Sequence, residues 1–190
     1  MARLNRDFFA RRTDEVAYDL IGCRLHRILP GGLTLSGLIS ETEAYMGIED
    51  TACHTYRGKT KRNEVMFGPP GYFYVYLIYG IHNMFNIVSE PEESACAVLI
   101  RGMIPEAGLE RMKENRKGRE DLTSGPGKLT QALAIDGDFN GVDMITSEDL
   151  FITSGISVEK EKIEATSRIG IDYAEKKDKD ALLRFVLTSV

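Results

Sequence analysis

Between Gly68 and Gly80 the chain reads Gly-Pro-Pro-Gly-Tyr-Phe-Tyr-Val-Tyr-Leu-Ile-Tyr-Gly. Two Gly/Pro breakers are followed by an aromatic and β-branched run that ends on a turn glycine. A run of this kind suits a pleated, half-buried surface and is too short for a helix of ordinary length. Residues 72–78 are therefore predicted to be a strand, Gly80 a tight turn, and residues 85–89 the returning partner. A second hairpin is predicted upstream. Residues 23–29 and 33–42 alternate across the turn Pro30-Gly31-Gly32, which puts Glu41 and Glu43 on one face and Thr42 on the other.

The remaining elements follow from the same signals. Thr13-Asp14-Glu15 opens an amphipathic helix that stops at Gly22, and residues 63–67 read as a short helix. Residues 95–103 form an apolar strand, after which Pro105 is expected to open a helix with a cationic outer face. Ser124-Gly125-Pro126-Gly127-Lys128 leads into a helix over residues 129–135, where backbone N–H groups and a lysine would welcome an anion. Residues 149–153 and 182–188 read as closing strands, with the charge-rich stretches 159–164 and 175–180 exposed.

At 190 residues and 43% apolar content the chain is expected to be one domain with a real core, spanning residues 1–190. No apolar run approaches the length a bilayer demands, and the charged first residues Met1-Ala2-Arg3-Leu4-Asn5-Arg6-Asp7 are followed by no apolar core of a secretory signal, so a cytoplasmic protein with no membrane partner is expected. Three widely spaced cysteines, Cys23, Cys53 and Cys96, read as reduced, buried thiols. Neither C-x-x-C nor H-x-x-x-H occurs, so no metal site is expected. A net charge of −5 excludes indiscriminate coating of nucleic acid but leaves room for a local basic groove.

The chemistry-bearing residues concentrate between residues 37 and 90. Glu43, at an apolar strand end, can serve as a general base or simply as a salt-bridged strand residue. His54 can be structural or catalytic. Tyr72, Tyr74 and Tyr76 alternate and could be core, but Tyr79 beside Gly80 sits where a bulky ring projects. Arg57-Gly58-Lys59-Thr60-Lys61-Arg62 is a cationic loop, either solvated or phosphate-binding. Glycosidic-bond cleavage needs a base and negative charge near an oxocarbenium-like transition state. Base removal from DNA further needs an aromatic platform and a wedge. Two other readings stay open: a DNA-distorting recognition module without chemistry, and a small-nucleoside hydrolase using Glu41 with Glu43.

The fragments Glu41-Thr42-Glu43-Ala44-Tyr45, Asp50-Thr51-Ala52-Cys53-His54, Arg62-Asn63, Met66-Phe67-Gly68, Tyr74-Val75-Tyr76, Tyr79-Gly80, Asn86, Leu99-Ile100-Arg101 and Gly125-Pro126-Gly127-Lys128-Leu129 occur in this order. Together they resemble the alkyladenine (3-methyladenine) DNA glycosylases of the mammalian-type family, which has bacterial members, over nearly the whole chain. The resemblance implies a mixed α/β (α+β) fold around a curved, mostly antiparallel sheet flanked by helices, with no metal or organic cofactor. It implies a monomeric, monofunctional glycosylase that approaches double-stranded DNA through the minor groove and excises alkylated purines. Glu43 matches the water-activating base, and Arg101 a residue beside the active-site water. Tyr45, Ala52, His54, Tyr76 and Asn86 match the base pocket, Asn86 as a screen against a guanine amino group. Tyr79 matches the intercalating wedge, and Arg62 and Lys128 match DNA contacts. His82 and Asn83 depart from the aromatic residues that follow the wedge in mammalian members.

Overall fold

The two predicted hairpins become the two halves of one sheet in the computed structural model, which describes residues 2–189. Strands β1 (Arg24–Ile28) and β2 (Thr34–Tyr45) form the first hairpin, and β3 (Phe73–Ile78) and β4 (His82–Ser89) the second. The long strand β5 (Cys96–Ala107) joins them, and β6 (Leu150–Thr153) closes the far edge, giving the order β3-β4-β5-β2-β1-β6. β7 (Ile163–Thr166) and β8 (Arg184–Leu187) pair with each other, and β8 also pairs with β2. Every pairing among these strands is antiparallel. The fold is α+β.

Among the described residues there are five short α-helices, α1 (Arg6–Phe9), α2 (Thr13–Asp19), α3 (Leu109–Asn115), α4 (Pro126–Leu133) and α5 (Lys176–Lys179), of which α2, α3 and α4 pack on the sheet. Under α2 and α4 lies the main core, which includes Phe9, Val16, Leu20, Leu25, Leu35, Ile39, Phe73, Phe85, Ile100 and Leu129. Each such side chain, fully buried, contributes roughly 1.5–3 kcal/mol relative to exposure. On β3 the alternation splits the aromatics cleanly. Phe73 and Val75 enter this core, while Tyr74 and Tyr76 join a smaller cluster on the opposite face. Thr42 also faces the core and donates its hydroxyl to Ala17 O of α2 at 2.8 Å, leaving Glu41 and Glu43 to the other side.

Several expectations are corrected. Pro105 does not open a helix: β5 continues through it, pairing it with Gly37 next to a register irregularity, the kind of place in a sheet that tolerates proline, and α3 begins only after Gly108 at φ 76°. α4 starts three residues earlier than expected because Pro126 fits the first helical turn. The stretch 159–164 is largely exposed, as expected, although its last two residues enter β7. α2 receives no side-chain cap from Arg12; instead the Glu90 carboxylate accepts from the Thr13 N–H at 3.0 Å and hydroxyl at 2.6 Å. All three cysteines are buried and free, as expected. No helix among the described residues is long and apolar enough to cross a membrane.

Candidate active site

The ladder between β2 and β5 is irregular where it matters. Ile39 pairs with Met103 and Glu41 with Gly102, but Thr42 pairs with Ile100, so Ser40 on β2 and Arg101 on β5 are skipped. A skipped residue is released from alternation and can be re-aimed. Arg101 turns across β2, its Nε donating to Glu41 Oε1 at 2.8 Å and its Nη1 lying 3.4 Å from Glu43 Oε1.

Glu43 has no solvent exposure. Its Oε1 accepts from the Ile169 N–H at 2.8 Å and its Oε2 from the Tyr45 hydroxyl at 2.8 Å. Of about four lone-pair sites on the two oxygens, these two bonds leave about two free. Burial, reinforced by the Glu43 charge, pushes the Tyr45 phenol well up, so it remains a donor. Arg101 is held fully charged: burial alone would lower it, but Glu43 and Glu41 outweigh burial.

The groups that hold Glu43 lead to a cavity of about 670 Å³ whose wall includes Tyr45, His54, Tyr76, Tyr79, Arg101, Lys128 and Ile169, while the Glu43 side chain itself lies behind that wall. Arg116 and Arg119 line it too, so four permanent cations and, among the described residues, no carboxylate face the space. The excess of acids that gives the chain its −5 charge therefore lies elsewhere. A recess of about 20 Å³ lies deeper, between Tyr45, Cys53, His54, Tyr74, Tyr76 and Asn86. The Asn86 amide donates to Tyr74 O at 3.0 Å and Met84 O at 3.3 Å, which fixes its orientation.

The aromatic rings support one another. His54 and Tyr76 meet edge to face at 4.5 Å between centroids, and Tyr74 and Tyr76 lie 5.1 Å apart. His54 Nδ1 is 3.0 Å from the Tyr74 hydroxyl. Burial, with Arg62 nearby, lowers the His54 pKa from its usual 6.5, so the ring is neutral at neutral pH. The fold thus prefers the neutral ring, and between the lowered pKa and 6.5 the unfolded chain holds more protons than the folded one. Stability accordingly rises with pH across that window and is lost as pH falls through it. His54→Gln is expected to flatten this slope in urea titrations at about pH 5 to 7. His26, which burial lowers as well, and the arginine- and lysine-held carboxylates at the acid end contribute to the residual slope.

Tyr79 stands at the tip of the β3–β4 hairpin, 86% exposed. Tyr79 and Gly80 have φ of 51° and 71°, and the Ile81 N–H donates to Ile78 O at 3.2 Å. Positive φ at both central residues is the hairpin turn that asks for Asn-Gly or Gly-Gly, and a tyrosine there is an outlier.

Not every predicted residue reaches the wall. Ala52 is buried behind it, its carbonyl accepting from the Tyr173 hydroxyl at 2.9 Å. Arg62 lies over the outer face of Tyr76 at 5.4 Å and donates to Leu77 O at 3.1 Å. Lys128 lies on the wall, paired at 2.5 Å with Asp121, whose carboxyl this lysine and Ser124 hold down to about 2. Sequence reasoning missed the segment that closes the site from the C-terminal side. Arg168, whose side chain is fully buried, donates Nη2 to Asp50 Oδ1 at 2.9 Å and Nη1 to Ala44 O at 2.9 Å, and sits 4.9 Å from the Tyr45 ring centre. The next residue supplies the Ile169 N–H to Glu43. The available signal was a lone arginine in the apolar setting Arg168-Ile169-Gly170-Ile171, opposite an Asp50 already noted.

Comparison with known proteins shows the family. The sequence model of the family described as "Methylpurine-DNA glycosylase (MPG)" matches residues 7–189. A protein of Carboxydothermus hydrogenoformans is 50% identical over 186 residues, covering 97% of this chain and 94% of the relative. One of Methanocella arvoryzae is 48% identical, covering 92% and 87%, and one of Clostridium perfringens is 44% identical, covering 97% and 95%. All three carry the name "Putative 3-methyladenine DNA glycosylase". With its α+β sheet, buried carboxylate and cationic aromatic cavity, this chain belongs to the methylpurine-DNA glycosylase family.

Proposed function

We propose that this hydrolytic DNA glycosylase extrudes an alkylated purine from duplex DNA and cleaves its N-glycosidic bond with a water activated by Glu43, leaving an abasic site. The observation that carries the reading is the carboxylate itself: fully buried and held by Tyr45, Ile169 and Arg101, three residues that themselves line an aromatic cavity with cationic walls. Tyr45, His54 and Tyr76 stack on the extruded base, Asn86 screens its edge, and Ala52 backs the pocket. Purines with a positively charged ring, such as 3-methyladenine and 7-methylguanine, leave without protonation, so one carboxylate suffices. Its negative charge also stabilises the oxocarbenium-like transition state. Hypoxanthine and ethenoadenine, as neutral leaving groups, are the slower substrates of the same pocket.

Tyr79 enters the minor groove and fills the gap left by the extruded nucleotide, while Arg62, Lys128 and Arg101 meet phosphates. The protein acts as a monomer in the cytoplasm. The strained turn gives this role a signature. Tyr79→Asn suits the left-handed position better, so stability is expected to hold or rise by up to about 1 kcal/mol. Base release is expected to fall about tenfold or more because the wedge is lost. Thermal unfolding and a single-turnover assay check the two halves of this prediction.

The reading as a whole is tested by incubating methylated duplex DNA with the protein and treating it with alkali. Strand breaks at alkylated purines are expected, with no covalent adduct when borohydride is present. Intact strands on DNA that the protein binds would support a recognition module instead.

A further inference from the structure

The carboxylate two residues before the base does not line the large cavity. Glu41 borders a separate cleft of about 400 Å³ beside Gly102 and Val186. Its Oε1 nevertheless takes two cations at once, Arg101 Nε at 2.8 Å and Arg184 Nε at 2.6 Å. Arg184 lies opposite Glu43 in the β2–β8 ladder and is tied on to β7 through Thr166 Oγ1 at 3.0 Å. Burial raises the Glu41 pKa, but the bonds from the two arginines outweigh burial and bring it below its usual value. Glu41 is thus an anion at neutral pH.

The unequal distances matter. Arg101 is within ordinary hydrogen-bond reach of Glu41 but 3.4 Å from Glu43, beyond a good N–H···O contact. An arginine free to meet Glu43 in bidentate fashion would occupy its lone pairs and depress its basicity. We propose that Glu41 is a positioning residue for the reaction: it holds Arg101 by Nε, so that the guanidinium faces Glu43 without closing on it and the base keeps a lone pair for water. The inference rests on the reading of Glu43 as the base. The other groups around Glu43 are Tyr45 on β2, Tyr76 on β3, Arg184 on β8, and Arg168 and Tyr173 on the segment before α5.

The test is the pH dependence of single-turnover base release from methylated duplex DNA, together with duplex affinity, for wild type, Glu41→Gln and Arg184→Gln. Glu41→Gln is expected to slow release roughly 30-fold, at near-unchanged affinity for the duplex. Its acidic limb is expected to move down by about one pH unit as Arg101 settles on Glu43. Arg184→Gln leaves Arg101 alone with Glu41, so its rate is expected to stay within about threefold of wild type and its acidic limb not to move down. A Glu41→Gln protein with wild-type rate, or with a slower rate and an unmoved limb, would overturn the proposal. So would a downward limb in Arg184→Gln, a variant that decides the matter even if Glu41→Gln does not fold. Failure of the underlying reading is separate: Glu43→Gln would then release base like wild type.

Discussion

Glu43→Gln is expected to bind methylated duplex DNA with near-native affinity and to release base about 10³-fold more slowly, or less. A positioned general base contributes typically 10²–10⁴-fold, and about 10³-fold corresponds to about 4 kcal/mol of transition-state stabilisation. Glutamine matches the shape of the buried side chain, so Tyr45, Ile169 and Arg101 keep a polar partner and the cavity keeps its walls. On the mechanism proposed above, what is lost is the lone pair that takes a proton from water and the negative charge that stabilises the transition state. The loss should therefore fall on the rate of release rather than on binding. Single-turnover kinetics and fluorescence anisotropy on the same labelled duplex separate the two.

Asp50→Ala is expected to be the most destabilising single truncation at the site, by about 3–5 kcal/mol. Asp50 and Arg168 are buried together, with side chains 3% and 0% exposed. Arg168 Nε already has no partner, so removing the carboxylate leaves a buried guanidinium with only the carbonyls of Ala44 and Asp178. Asp50 also accepts from the backbone N–H groups of Met46 and Ala52, each at 3.0 Å, which shape the loop leading to His54. For a chain of this size the loss corresponds to a fall in Tm of roughly 10 °C. Because Ile169 is held next to Arg168, base release should suffer even below the melting range. Scanning calorimetry measures the first effect, and a rate measured well below Tm measures the second.

The local signals in the chain were enough for most of the sheet. Breakers around residues 68–80 and the alternation of 33–42 gave both hairpins; the alternation of Tyr72, Tyr74 and Tyr76 was legible too, but that Phe73 and Val75 face the main core and Tyr74 and Tyr76 the smaller cluster was not. Glu41 and Glu43 do share a face. Other features depend on partners far away in sequence. The skip that aims Arg101 exists only once β2 and β5 pair, and Pro105 is strand because Gly37 lies opposite. β7 hides in a charged stretch since its pairing with β8, not its propensity, makes it a strand. The closing segment is the clearest case: Ile169 reaches Glu43 across 126 residues and Arg168 reaches Asp50 across 118. No periodicity records such contacts. Arg62 and Ala52 illustrate the opposite limit, where a motif position was legible but its distance from the cavity wall was not.

The most direct measurement is chromatography of the free bases released from methylated duplex DNA by wild type and by Glu43→Gln in parallel. The account predicts free 3-methyladenine and 7-methylguanine from the wild-type reaction and almost none from the variant, with both proteins bound to the duplex. Equal release by the two proteins would remove Glu43 from the chemistry, and binding without release by wild type would contradict the hydrolytic account itself.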